Sequence, residues 1–175
     1  MYVWEVDAPA GEDPVEWRLI TSEPIDTLTQ VLRIVDIYRT RWLIEEFFKA
    51  LKTGCAYEKR QLESLQTLLV ALALLAPVAW QLLLLRHLAQ TAPESPATTV
   101  LTARQLEVLR ATSTRRPLGP QPTVAEALLA IASLGGHLRQ NGSPGWLVLG
   151  RGLQKLALME SGWRAAEQAK RCDQS

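Results

Sequence analysis

The apolar positions change their period along the chain, and each change marks an element. Tyr2, Val3, Trp4 and Val6 supply the aromatic and β-branched side chains of a strand. Asp7-Ala-Pro-Ala-Gly-Glu-Asp-Pro14 is turn-rich, and alternation resumes over 15–21, so a hairpin is expected over 1–21. From Asp26 the period becomes helical, with Leu28, Val31, Leu32 and Val35 on one face. Asp26 or Thr27 can cap this helix and Gly54 can end it, which predicts one helix over 27–53.

A second helix is expected over 65–88. Its stretch 68–85 is apolar apart from Gln81 and carries no charge, which is long enough for a membrane span. A helix buried in a soluble core has the same pattern. Pro77 and Gln81 interrupt the run, Tyr and Phe anchors are missing and no second span follows, so the core reading leads. Thr91-Ala-Pro-Glu-Ser-Pro-Ala-Thr-Thr99 reads as a linker, placing a boundary at 93–100 between domains over 1–92 and 101–175. Beyond it, Thr102 with Gln105 and Thr123 with Glu126 have capping-box spacing. Helices are expected over 103–111 and 124–134, the latter stopped by Gly135-Gly136. Between them, 115–122 is a stiff basic connector. After the turn Asn141-Gly-Ser-Pro-Gly145 comes a short apolar stretch, 146–149, then a last helix over 151–168 and a polar, frayed tail over 169–175. The fold class is therefore mainly α with an N-terminal β-hairpin.

With 47% apolar and 21% charged residues, the 175-residue chain has globular proportions. Its net charge of +1 gives no overall attraction to nucleic acid, so any basic surface must be local. Two cysteines and two histidines are too few for a disulfide framework or a typical zinc site. The first residues have neither the basic start nor the apolar run of a signal peptide.

The long helix carries the candidate chemistry. On an ideal wheel, Tyr38, Arg41, Glu45, Lys49 and Lys52 share a sector of about 80°, opposite Leu43, Ile44, Phe47, Ala50 and Leu51. One carboxylate thus lies in a row of cations and one phenol. A solvated face with Arg41–Glu45 and Glu45–Lys49 pairs explains this pattern. So does a phosphate-handling site, in which cations keep Glu45 ionised for a metal and contact a nucleic-acid backbone.

The block Asp36-Ile-Tyr-Arg-Thr-Arg-Trp-Leu-Ile-Glu-Glu-Phe-Phe-Lys-Ala-Leu-Lys-Thr-Gly54 resembles the signature of bacterial insertion-sequence DDE transposases of the IS-four family, the subgroup of the transposon-Tn-five transposase. The signature is Tyr, two residues, Arg, three residues, Glu, six residues, Lys, matched without a gap by Tyr38, Arg41, Glu45 and Lys52. The hairpin segments 9–17 and 19–24, and Pro122-Thr-Val-Ala-Glu-Ala-Leu, Leu134-Gly-Gly and Gly162-Trp-Arg164, also match, so the resemblance spans nearly the whole chain. Phe48 and Leu51 depart from the relatives, which carry His and Trp there; neither belongs to the signature.

The resemblance implies a ribonuclease-H-like catalytic core in which two Asp and one Glu hold divalent metal, normally Mg²⁺, for in-line displacement at phosphorus. Glu45 matches the Glu of that triad. Tyr38, Arg41 and Lys52 match contacts to transposon-end phosphates, and Lys49 a lysine near the cleaved end. Trp17 matches an aromatic that takes a flipped base, a role needing a free π-face; packing against Trp4 across the hairpin is the competing reading. The helices over 123–168 resemble the family's dimerisation region and offer Ala125, Ala127, Ala130, Ala132, Ser133 and Gly135 for close packing, although they could equally close a core of their own.

Both catalytic Asp are missing: Asp7, Asp13, Asp26 and Asp36 match no triad position. The sequence is therefore expected to be a C-terminal fragment: an incomplete ribonuclease-H-like core followed by a small helical dimerisation domain. It would contribute Glu45, DNA contacts and a homodimer interface, and work in the bacterial cytoplasm with DNA rather than a membrane as partner. Two alternatives are a truncated copy that traps full-length transposase in inactive dimers, and a helical membrane or interaction protein with no DNA role.

Overall fold

The structure, a computed structural model, describes residues 1–114 and 116–172. Arg115, at the start of the expected connector, and the end of the expected tail at 173–175 lie outside the described residues. The hairpin forms over a shorter span than the alternation suggests. Strand β1 (Tyr2–Trp4) pairs antiparallel with β2 (Glu16–Arg18). Tyr2 faces Arg18, Val3 faces Trp17 and Trp4 faces Glu16. Among the described residues this pair is the only sheet; the ribonuclease-H-like core implied by the resemblance is not represented beyond it.

The expected single helix over 27–53 is interrupted twice. Helix α1 (Leu28–Arg39) starts at Thr27, whose side chain accepts from Gln30 N while the Gln30 side chain accepts from Thr27 N. It ends where Thr40 Oγ1 donates to Ile37 O at 2.6 Å. There the chain tightens: Arg41 N donates to Tyr38 O, Leu43 N to Thr40 O and Ile44 N to Arg41 O, each at 3.0 Å. These are three-residue steps, and a threonine hydroxyl competing for backbone carbonyls is a local cause of such a break. Helix α2 (Trp42–Lys49) follows, and then a π-turn, Ala50–Gly54, closed by Cys55 N donating to Ala50 O at 2.9 Å. Ala56 reverses the chain in a left-handed conformation, φ 53°.

The chain divides into two compact units, Met1–Ile44 and Glu45–Ser175. The first buries little: Leu19 and Ile34 are its buried apolar side chains, whereas Ile20, Leu28, Leu32, Ile37, Trp42 and Ile44 are exposed. A two-stranded hairpin with so small a core is marginal by itself.

The second unit holds the main core. Helix α3 (Leu65–Thr91) starts in a Ser64–Thr67 capping box and runs through Pro77 without a break. It is long and apolar enough to cross a membrane by length and composition, and 22% of its most apolar window is buried. Burial is concentrated in its second half, at Ala79, Leu82, Leu83 and Leu85, where Gln81 Nε2 also donates to Val100 O and to Gln105 Oε1. Its first half exposes Leu65, Leu69, Val70 and Leu74, so only part of the helix fits the core reading. Helices α4 (Ala103–Thr112) and α5 (Val124–Leu134) have the expected capping boxes at Thr102 and Thr123.

Segment 93–100, read from composition as a linker, is hydrogen-bonded into this unit. Ala97 N donates to Pro122 O at 2.9 Å and Val124 N to Ser95 O at 2.8 Å, and Ala97 is buried. The apolar stretch at 146–149 and the last expected helix form one element, α6 (Trp146–Cys172). Gly150 and Gly152 lie inside this helix, where glycine ordinarily weakens the structure. Here they let backbones touch: a Cβ on Gly150 would lie 1.9 Å from Gly54 O, and one on Gly152 1.9 Å from Ile131 O. The inward faces of α5 and α6 fill the chain's own core through Leu128, Ala130, Ile131, Leu153 and Leu156. Of the small residues read as a dimer contact, Ala127, Ala130 and Ala132 are buried there, whereas Ala125, Ser133 and Gly135 are half-buried.

Candidate nucleic-acid interface

The sequence places six residues in the candidate site, and they fall in both compact units. In the first, Trp17, Tyr38 and Arg41 come together. β-Register puts Trp17 on the opposite face of the hairpin from Trp4, because adjacent strand residues point to opposite sides. The cross-strand Trp4–Trp17 pair does not form. The Trp17 ring instead lies against Tyr38, with centroids 4.9 Å apart and planes tilted by 59°. Arg41 extends over the other member of that pair, its guanidinium carbon 5.6 Å from the Tyr38 ring centroid. A guanidinium on an aromatic face is attracted by the ring quadrupole. Trp17 and Tyr38 are half-buried and Arg41 is exposed.

The 100° wheel does not carry across the tightened turn at Thr40–Arg41, so the single five-residue row read from the sequence is not a property of one continuous α-helix. In the second unit, Glu45 lies half-buried on α2. Lys49 Nζ pairs with Glu46 Oε1, its i,i+3 neighbour, at 2.7 Å. Lys52 sits within the π-turn, and its Nζ pairs with Glu58 Oε1 at 3.1 Å. The lysine side chains are 49% and 54% exposed. Exposed ion pairs of this kind are worth about 0–1 kcal/mol. A phosphate can therefore displace either carboxylate at little cost, and the pairs hold the ammonium groups at the surface without consuming them.

Glu46 and Glu58 were not singled out by sequence reasoning. The i,i+3 spacing of Glu46 and Lys49 was available as a signal. Nothing local predicts the Lys52–Glu58 pair, because it depends on the left-handed reversal at Ala56.

The donor set does not fit a two-metal centre. Among the described residues no group of three or more His, Cys, Asp or Glu comes together to hold a metal. Asp36 pairs with Arg39 at 3.7 Å, and Glu45 brings one carboxylate where two bridged divalent ions need several. What the residues can do is bind anions: two lysines in one unit, and an arginine over the Tyr38 ring in the other.

Residues 4–80 match the family model described as Transposase DDE domain. The matched stretch contains Trp17, Tyr38, Arg41, Glu45, Lys49 and Lys52. It ends within α3 and supports a DDE transposase family for this part of the chain.

Proposed function

We propose that the protein is a catalytically incomplete part of a bacterial cut-and-paste DNA transposase of the IS-four type. The observation carrying this reading is the overlap of the family match at 4–80 with the ungapped Tyr38, Arg41, Glu45, Lys52 spacing. In this reading Arg41, Lys49 and Lys52 contact backbone phosphates of a transposon end. Tyr38 donates its phenol to a backbone phosphate. Trp17 buttresses Tyr38 and can turn its remaining face to an unstacked base. Glu45 is the one triad carboxylate the chain supplies. Mg²⁺ would stabilise the attacking and leaving oxygens at phosphorus, and it requires two further Asp that these residues do not provide.

DNA is then the partner and the bacterial cytoplasm the compartment. The exposed first half of α3 belongs to the same picture, as a surface for the rest of a catalytic core rather than for lipid. This reading includes self-association through 123–168, where the inward faces of α5 and α6 already pack into the chain's own core. A dimer would have to use outward positions such as Leu158 and Met159. A dominant-negative regulator needs that same dimer surface.

The test is DNA affinity measured against salt. The reading expects weak, mostly sequence-independent binding whose logarithm falls linearly with log salt. An Arg41→Ala/Lys52→Ala double variant should lose about two units of slope, at about 0.9 per phosphate contact. Binding unchanged in that variant would remove these residues from the interface.

A further inference from the structure

Lys52 does not sit on an ordinary helix. It occupies a π-turn, a wider and rarer arrangement that persists where tertiary structure holds it. On one side the turn is anchored by Ala50, Leu51 and Cys55, all buried. On the other, Gly54 meets α6 backbone to backbone. A Cβ added to Gly150 would lie 1.9 Å from Gly54 O, 2.5 Å from its C and 2.8 Å from its Cα. A Cβ on Gly54 would lie 2.9 Å from Leu82 Cδ1. The turn is thus wedged between α3 and α6, and its two outward residues, Lys52 and Thr53, are turned away from that wedge, with Lys52 exposed.

We infer that Gly150 is a positioning residue for Lys52: its bare backbone seats Gly54, fixes the π-turn and thereby sets where the Lys52 ammonium meets a phosphate. The inference rests on the phosphate-contact reading of Lys52, and it joins the C-terminal helix to the DNA-contacting turn. Gly152 provides the control. It lies on the same helix and makes an equally close backbone contact, but to Ile131 on α5.

The experiment combines two readouts in Gly150→Ala, Gly152→Ala and a variant lacking Thr53, which removes one residue from the π-turn. The first readout is a double-mutant cycle with Lys52→Ala on the salt dependence of DNA binding. In the wild-type background Lys52→Ala should lower the slope by about one unit. In the Gly150→Ala and Thr53-deletion backgrounds it should change the slope little, and in Gly152→Ala it should act as in wild type. The second readout is alkylation of Cys55, whose N–H closes the π-turn and whose thiol is buried. Gly150→Ala should speed it several-fold more than Gly152→Ala does.

The inference is overturned if Lys52→Ala costs the same slope in the Gly150→Ala background as in wild type. It is equally overturned if Gly150→Ala and Gly152→Ala expose Cys55 alike. Should Gly150→Ala not fold, the Thr53 deletion decides the cycle. If Lys52→Ala has no effect in wild type while Cys55 responds selectively to Gly150→Ala, the seat of the turn is upheld and the phosphate reading of Lys52 is the part that fails.

Discussion

The same substitution should have opposite effects at two positions of α6. At Gly152 an added Cβ would lie 1.9 Å from Ile131 O, 2.7 Å from its C and 2.9 Å from its Cγ2, against 3.4 Å or more for ordinary contact. The shortfall to the carbonyl oxygen is therefore about 1.5 Å (3.4 − 1.9), and backbone cannot rotate away as a side chain can. Alanine gains about 1 kcal/mol of helix propensity over glycine, but overpacking a tight contact costs about 1–3 kcal/mol, occasionally more. Gly152→Ala should be destabilising by up to about 2 kcal/mol once these are combined. At Gly162 nothing lies within 4 Å of the added atom, so Gly162→Ala should stabilise the protein by roughly 0.5–1 kcal/mol. With an m-value of about 1–3 kcal/mol/M in urea, the two unfolding midpoints should differ by on the order of 1 M. The assay is urea unfolding followed by far-UV circular dichroism. Gly152→Ala at or above the wild-type midpoint would refute the close α5–α6 backbone contact.

Two further outcomes follow from the ionic groups. Glu167 accepts from Arg104 at 2.6 Å and from Trp163 Nε1 at 3.1 Å. The Arg104 hydrogen bond holds its carboxyl below the ordinary glutamate value of 4.5. A depressed carboxyl contributes stability above its ordinary value and loses it as pH falls through the folded value. Glu167→Gln should therefore lower the melting temperature at pH 7, with the difference from wild type shrinking as pH drops below about 4 and as salt rises; an equal difference at pH 7 and pH 3 would contradict the clamp between α4 and α6. The isolated protein should neither nick nor join a transposon-end duplex in Mg²⁺ or Mn²⁺, because no group of three or more His, Cys, Asp or Glu comes together to hold a metal among the described residues. Metal-dependent nicking that Glu45→Gln abolishes would overturn that expectation.

The elements governed by local chemistry were legible in the sequence. Thr27, Thr102 and Thr123 start helices because a hydroxyl and an amide or carboxyl three residues on satisfy the same free N–H groups that any helix start exposes. The hairpin was legible from alternation. What failed was assignment resting on tertiary contact. Thr40 looked like an ordinary helix residue, and its hydroxyl bonds back to Ile37 O where the helix is interrupted. The last helix was expected from 151, but it begins at Trp146, and Gly150 and Gly152 within it are approach points for other backbones. Segment 93–100 has the composition of a linker yet lends Ser95 O to Val124 N. At the site, residue identities came from the signature spacing, whereas the partners did not. Trp17 finds Tyr38 rather than Trp4, and Lys52 finds Glu58, through chain reversals that periodicity does not encode.

The central claim is that the surface carrying Lys49 and Lys52 is where this protein meets a nucleic-acid backbone. Lysine modification with an amine-reactive reagent, with and without duplex DNA at low salt and read residue by residue by mass spectrometry, tests it most directly. Lys49 and Lys52 are both about half-exposed and open to reagent. Lys155, whose Nζ donates to Leu134 O at 2.8 Å, and Lys170, in the last turn of α6, report on the opposite possibility. The account predicts that DNA protects Lys49 and Lys52 several-fold while Lys155 and Lys170 react as before, and that added salt removes the protection. Protection of Lys155 and Lys170 with Lys49 and Lys52 unchanged would contradict it.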